Sequence, residues 1–151
     1  MKEDHIISLF GHREISNLDG IERSFRFHMN EILDRHTYIT FFVGRNGEFD
    51  EHIASCIKRL QKRVGEERIH LTLVAPYPPA HLEDYERYYD EIIIPEEFAS
   101  LHPKQRITRR NQWMVRNCDL ILAHLVSDHG GTFSAVRYAK SLGKPILYID
   151  G

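Results

Sequence analysis

Apolar residues in this chain fall into two kinds of pattern, and the two take turns along its length. Short runs rich in β-branched and aromatic residues read as strands: His5–Phe10, Tyr38–Val43, Ile69–Val74, Leu120–Ala123 and Ile146–Ile149. Glu91–Ile94 has the same character but is short and cut off by Pro95. Between them, apolar residues recur every three or four positions, the period of a helix with one buried face. One such face is Ile21, Phe25, Met29, Ile32 and Leu33, with Ser16 or Asn17 placed to cap it. A second is Ile53, Ile57, Leu60 and Val64, expected to be capped by Asp50 and closed by Gly65. Leu82 to Tyr89 is short, charged and helical in pattern. A polar helix from about Lys104 carries Ile107, Met114 and Val115 and ends near Asn117. The last helix opens at Gly130-Gly131-Thr132 and carries Phe133, Val136, Ala139 and Leu142. It stops at Gly143-Lys144-Pro145, a glycine followed by a proline that cannot continue it.

Strands that alternate with helices specify an α/β fold: a mostly parallel sheet of about five strands, covered by helices on both faces. Leu120–Ala123 is apolar at consecutive positions, as a strand buried on both faces should be. The length of 151 residues points to one domain spanning 1–151.

Composition removes several function classes. With 42% hydrophobic and 28% charged residues, the chain is an ordinary globular protein and not a disordered one. A formal net charge of −2 argues against nucleic acid as a partner, since sequence-independent binding needs a basic face. No apolar run approaches the roughly 20 residues that span a bilayer. The start, Met1-Lys2-Glu3-Asp4-His5, lacks the charged region and apolar core of a secretion signal, so a cytoplasmic location is expected. Cys56 and Cys118 fit buried free thiols. Ten histidines raise the question of a metal, but none pair at helical ligand spacing, and no metal site is expected. Ser134 lacks the glycine pattern of a serine nucleophile.

Parallel strands point their carboxyl ends to one rim, so residues just after strands converge there. That rim should collect Gly11-His12-Arg13, Gly44-Arg45-Asn46-Gly47, Pro76 and the loop from His124 to Thr132, with Arg110 and Asn111 from the helix that feeds the next strand. Glycines, cations and few carboxylates suit a phosphorylated ligand, which needs N–H groups, guanidinium forks and close backbone approach. Gly130-Gly131-Thr132 is the expected phosphate turn, because it places a helix N-terminus at the carboxyl end of a strand. Simpler roles stand beside these: Arg13 pairing with Glu14, Arg109 and Arg110 on a solvated face, Trp113 as a core anchor, and the tyrosines at 85, 88 and 89 as a lid, a subunit contact or a solvated helix.

Phe10-Gly11-His12-Arg13, Gly44-Arg45-Asn46-Gly47-Glu48-Phe49-Asp50, Arg110-Asn111-Gln112-Trp113-Met114-Val115, Cys118 to Ala123, Gly130-Gly131-Thr132 and Tyr138-Ala139 together resemble the SLOG superfamily, and within it the small YpsA/YoqJ-type proteins of bacteria and their phages. The resemblance covers nearly the whole chain. It implies a Rossmann-like fold, a nucleotide or nucleotide-derived ligand such as an ADP-ribose-like molecule, a regulatory or sensing role with no required cofactor, and self-association. The superfamily also contains the Lonely Guy phosphoribohydrolases and the DNA-processing protein DprA. Arg110, four residues before Met114, resembles the catalytic arginine of the phosphoribohydrolases; their glutamate is replaced here by Ala135. An N-glycosidic hydrolase or deoxyribosyltransferase would therefore need another carboxyl group, and Asp50 and Asp128 are the candidates. A DprA-like protein handling nucleic acid is the remaining alternative.

Overall fold

A computed structural model describes residues 4–150. The first three residues, which bear on the expected absence of a secretion signal, lie outside the described residues. The chain runs β1 (Asp4–Gly11), α1 (Leu18–Arg35), β2 (Tyr38–Val43), α2 (Glu48–Val64), β3 (Ile69–Val74), α3 (Leu82–Tyr88), β4 (Glu91–Ile93), a 3-10 turn (Glu96–Ser100), α4 (Pro103–Arg116), β5 (Leu120–His124), α5 (Gly131–Ser141) and β6 (Ile146–Tyr148). The six strands form one sheet in the order β4-β3-β2-β1-β5-β6. Every pairing is parallel, so the short fourth strand belongs to the sheet with the rest. The fold is a Rossmann-like three-layer α/β/α domain.

The side-chain period of two along each strand divides the core into two layers. Ile7, Leu9, Phe41, Leu71, Leu73 and Leu122 pack with Ile21, Phe25, Met29 of α1 and Phe49, Ile53, Ile57 of α2. Phe10, Phe42, Val74, Ile121 and Ala123 face the other way, onto Met114 and Val115 of α4 and Ala135, Val136 and Ala139 of α5. Trp113 packs on this second layer, its ring 5.4 Å from that of Phe42. Burying one such large apolar side chain contributes roughly 1.5–3 kcal/mol, so the two layers dominate the stability.

Two local expectations are corrected. Asp50 does not cap α2: Gly47 is the N-cap, and Asp50 sits one turn in, where its Oδ2 accepts from the Asn46 N–H at 2.8 Å. Helix α5 buries Thr132, Ala135, Val136 and Ala139, while Leu142 is exposed and Phe133 only partly covered. Small residues let α5 approach the sheet closely, so its contact face is narrower than its apolar pattern. For α1, the cap is Asn17, one of the two expected residues, its side chain accepting from Gly20 N–H.

At the amino rim of the sheet, Arg68 donates to the carbonyls of Leu33, His36 and Thr37 and so ties the end of α1 to the start of β3. Cys56 and Cys118 are buried and unpaired. No helix among the described residues is long and apolar enough to cross a membrane.

Candidate nucleotide-binding cleft

The strand order places the site. From β1 the chain builds outward through β2, β3 and β4, then crosses back to place β5 and β6 on the other side of β1. The helices that follow β1 and β5 pack on opposite faces of the sheet, and at such a reversal a crevice opens beyond the carboxyl ends of the strands. Gly11 and His124, the last residues of β1 and β5, are in register there.

A cleft of about 360 Å³ occupies the crevice. Its walls come from Gly11, His12 and Arg13 after β1, Gly44 and Asn46 after β2, Asp50 of α2, Arg110 and Asn111 of α4, and Gly130, Gly131 and Thr132 at the start of α5. Ten of the positions named by the strand-end argument thus meet in one place, together with Asp50, although they span residues 11 to 132. Leu9, Phe10, Ile107, Met114, Ser127 and His129 complete the lining. The first four are apolar residues whose pattern marks them only as core, and Ser127 and His129 ride on the loop after β5.

Arg110 is the centre of the cleft. Its side chain is 3% exposed, held by Nε donating to Asn111 Oδ1 at 2.9 Å and Nη1 donating to the Val74 carbonyl at 3.1 Å. A guanidinium has five N–H donors, and the described residues offer this one no further acceptor. Burial pushes its pKa below the ordinary arginine value, against the pull of Asp50 and Tyr77. Asp50 is the acidic counterpart. Burial raises its pKa above the ordinary carboxylate value, opposed by the Asn46 N–H and by Arg110. The two charges form no direct ion pair.

Close packing keeps the space open. A Cβ added at Gly44 would stand 2.7 Å from Nη1 of Arg110 and 3.0 Å from Oδ2 of Asp50. At Gly11 it would meet Cγ of Phe49 at 2.0 Å, so the fully buried Phe49 ring forms the floor under β1. Gly130 has φ 95°, which favours glycine, and turns the chain into α5. At Gly131 an added Cβ would stand 3.5 Å from Nδ2 of Asn111, so that amide faces the first turn of α5.

Two of the wall residues, His12 and Arg13, also make contacts of their own, and the remaining expected site residues lie outside the cleft. His12 accepts from the Val126 N–H at 3.1 Å through Nε2, and burial together with His124 and His129 lowers its pKa. Arg13 is exposed; its carbonyl accepts from Glu48 N–H at 2.8 Å, and it makes no ion pair with Glu14 among the described residues. Gly47 packs against the Arg13 backbone, an added Cβ falling 2.6 Å from Arg13 Cα, and does not line the cleft. Arg45 turns away altogether: it lies over the Tyr85 ring at 4.9 Å, donates to the Tyr89 hydroxyl at 3.3 Å and stands 3.6 Å from Glu51. Pro76 borders a neighbouring slot. Asp128 has a side chain 96% exposed, 3.2 Å from His129, and is not positioned as a buried acid. Among the described residues, no three metal-ligating side chains stand together.

No protein-family model matches this sequence, and no curated protein matches it. Among solved structures the fold is similar to that of DNA processing protein A from Helicobacter pylori, described for its single-stranded DNA binding mode. The likeness has a TM-score of 0.63 and 12% identity, and covers 95% of this chain and 64% of that one. The chain thus spans less than two thirds of its neighbour's length, and at this identity the likeness is one of fold. The two share a DprA-like, Rossmann-type architecture. This finding corrects the expectation that net charge argues against a nucleic-acid partner: a protein with this fold binds single-stranded DNA, so a net charge of −2 does not exclude that class.

Proposed function

We propose that this chain binds nucleotides by taking a phosphate into the cleft between Arg110 and the first turn of α5. Arg110 carries the proposal. A buried cation without an ionic partner costs several kcal/mol in desolvation, and a phosphate oxygen supplies the missing charge through short, charge-assisted hydrogen bonds. The start of α5 adds unpaired backbone N–H groups and the positive end of the helix dipole. The Asn111 amide stands over that turn as a further donor.

The nucleotide has two possible settings. The likeness over 95% of this chain to a single-stranded-DNA-binding protein favours a nucleotide carried in a DNA strand, with one unit entering the cleft. The small volume of the cleft, about 360 Å³, favours a free nucleotide or an ADP-ribose-like molecule sensed as a signal. The motifs after β1, β2 and β5 support grouping the chain with the YpsA/YoqJ-type proteins in this second setting. Should the site also cleave an N-glycosidic bond, Asp50 is the group placed to serve as its acid.

Fluorescence anisotropy of a labelled single-stranded oligonucleotide and, separately, of a labelled nucleoside monophosphate, each competed by unlabelled nucleoside monophosphates and ADP-ribose, tests the proposal. Strand binding displaced by mononucleotides and weakened by Arg110→Ala is the expected result. Mononucleotide binding without strand binding would leave only the sensing form. Failure of every phosphate-bearing probe would end the proposal.

A further inference from the structure

A second cavity of about 270 Å³ lies beside the cleft and shares Asn46, Ile107 and Arg110 with it. Its other walls are of a different kind. Leu73, Ala75, Pro76, Pro79 and Tyr77 make them apolar and aromatic, with Tyr85 at the far side. Tyr77 is half-exposed and close enough to Arg110 to act on its charge. The segment 76–79 contains three prolines, so the wall it forms is stiff. Two residues beyond it stands His81, the only non-glycine residue of the described chain with positive φ (57°, ψ 47°). Such a conformation costs of order 1 kcal/mol or more and persists where the surroundings hold it. Arg45 fixes the opposite wall through Tyr85 and Tyr89.

We infer that this slot receives the base of the nucleotide whose phosphate lies in the adjoining cleft. The inference rests on the phosphate reading above. Continuity argues for it: one guanidinium borders both spaces, so a ligand that pairs with Arg110 has its next groups directed into the slot. The chemistry fits as well. A planar heterocycle needs flat apolar walls and an aromatic face to stack on, and Tyr77 beside the proline segment offers both. The side-chain amide of Asn46, free of protein hydrogen bonds among the described residues, stands where the two spaces meet and can pair with a polar edge of the base. Arg45, which sequence order places with the phosphate, belongs instead to the structure of this wall.

Titration calorimetry with 2-deoxyribose 5-phosphate and dAMP tests the assignment, because the two probes differ by the base alone. Wild-type protein should bind dAMP about tenfold more tightly, the scale of one stacked base. Tyr77→Ala should bring dAMP down to the level of the base-free probe and leave that probe unchanged. Ala80→Trp, at an exposed position on the slot, should do the same by filling it. Equal binding of the two probes by wild-type protein, or dAMP affinity unmoved in both variants, would overturn the base assignment while the phosphate site stands. Binding of neither probe would overturn both.

Discussion

Arg110 and Asp50 bring opposite charges close to Gly44 without pairing. The point where a Gly44 side chain would begin lies 2.7 Å from one and 3.0 Å from the other. Each is buried at an electrostatic cost, as the opposite directions of their pKa shifts record. Charges held apart in this way are available to a ligand.

Replacing Arg110 by Met keeps most of the volume and removes the cation. Nucleotide affinity should fall by about tenfold to a hundredfold, the worth of one lost charge-assisted contact. Folded stability should stay within about 1 kcal/mol of the parent, since relief of desolvation offsets the lost bond to the Val74 carbonyl. Calorimetry and urea midpoints read the two effects separately.

Asp50→Asn should make stability less dependent on pH. A carboxyl group whose folded pKa lies above its unfolded value favours folding below the unfolded value, and that contribution is lost as pH rises through the folded pKa. The asparagine variant should therefore gain on the parent near neutral pH and lose its advantage as pH falls. Urea midpoints at several pH values check this; a gap that widens toward acid would contradict it.

Gly131→Ala separates binding from folding. The new methyl group meets only the Asn111 amide, at an ordinary contact distance of 3.5 Å, but it stands on the floor that a phosphate would approach. Thermal stability should hold or rise slightly, because alanine costs less entropy to order in a helix. Nucleotide affinity should fall.

At Gly11 the same change should be destructive. The methyl would lie 2.0 Å from the Phe49 ring, which has no room to move, so a loss of about 1–3 kcal/mol is expected from overpacking. The double variant with Phe49→Leu should recover part of that loss, which a double-mutant cycle measures directly.

The cysteines should be chemically quiet in the folded protein. Burial pushes the Cys56 thiol up to about 11 and raises that of Cys118 as well. Alkylation at pH 8 should require unfolding at both positions, as mass spectrometry with and without denaturant would show.

Much of this was legible in the order of residues. Parallel strands force their following turns to one rim, so Gly11, Gly44, Arg110 and Gly131 could be placed together without coordinates. What escaped depended on rotation and distant partners. Asp50 follows a glycine-led helix start by three residues, and only the position of Gly47 decides whether it caps α2 or turns back to Asn46. Arg45 leaves the cleft because Tyr85 and Tyr89, forty residues on, offer its guanidinium a ring and a hydroxyl. The narrow face of α5 follows from alanines that a hydrophobic period weighs too lightly. Net charge misled because a sum over the chain says nothing about where the charges lie.

The Arg68 clamp has a practical corollary. It secures the end of the molecule opposite the cleft, joining α1 to β3 through three carbonyls. A fluorophore attached at the exposed neighbour Glu66 would report loss of the native state and stay blind to occupancy. A probe on exposed Arg13, which lines the cleft, would respond to occupancy as well, so comparing the two dyes could separate ligand capture from unfolding in one sample.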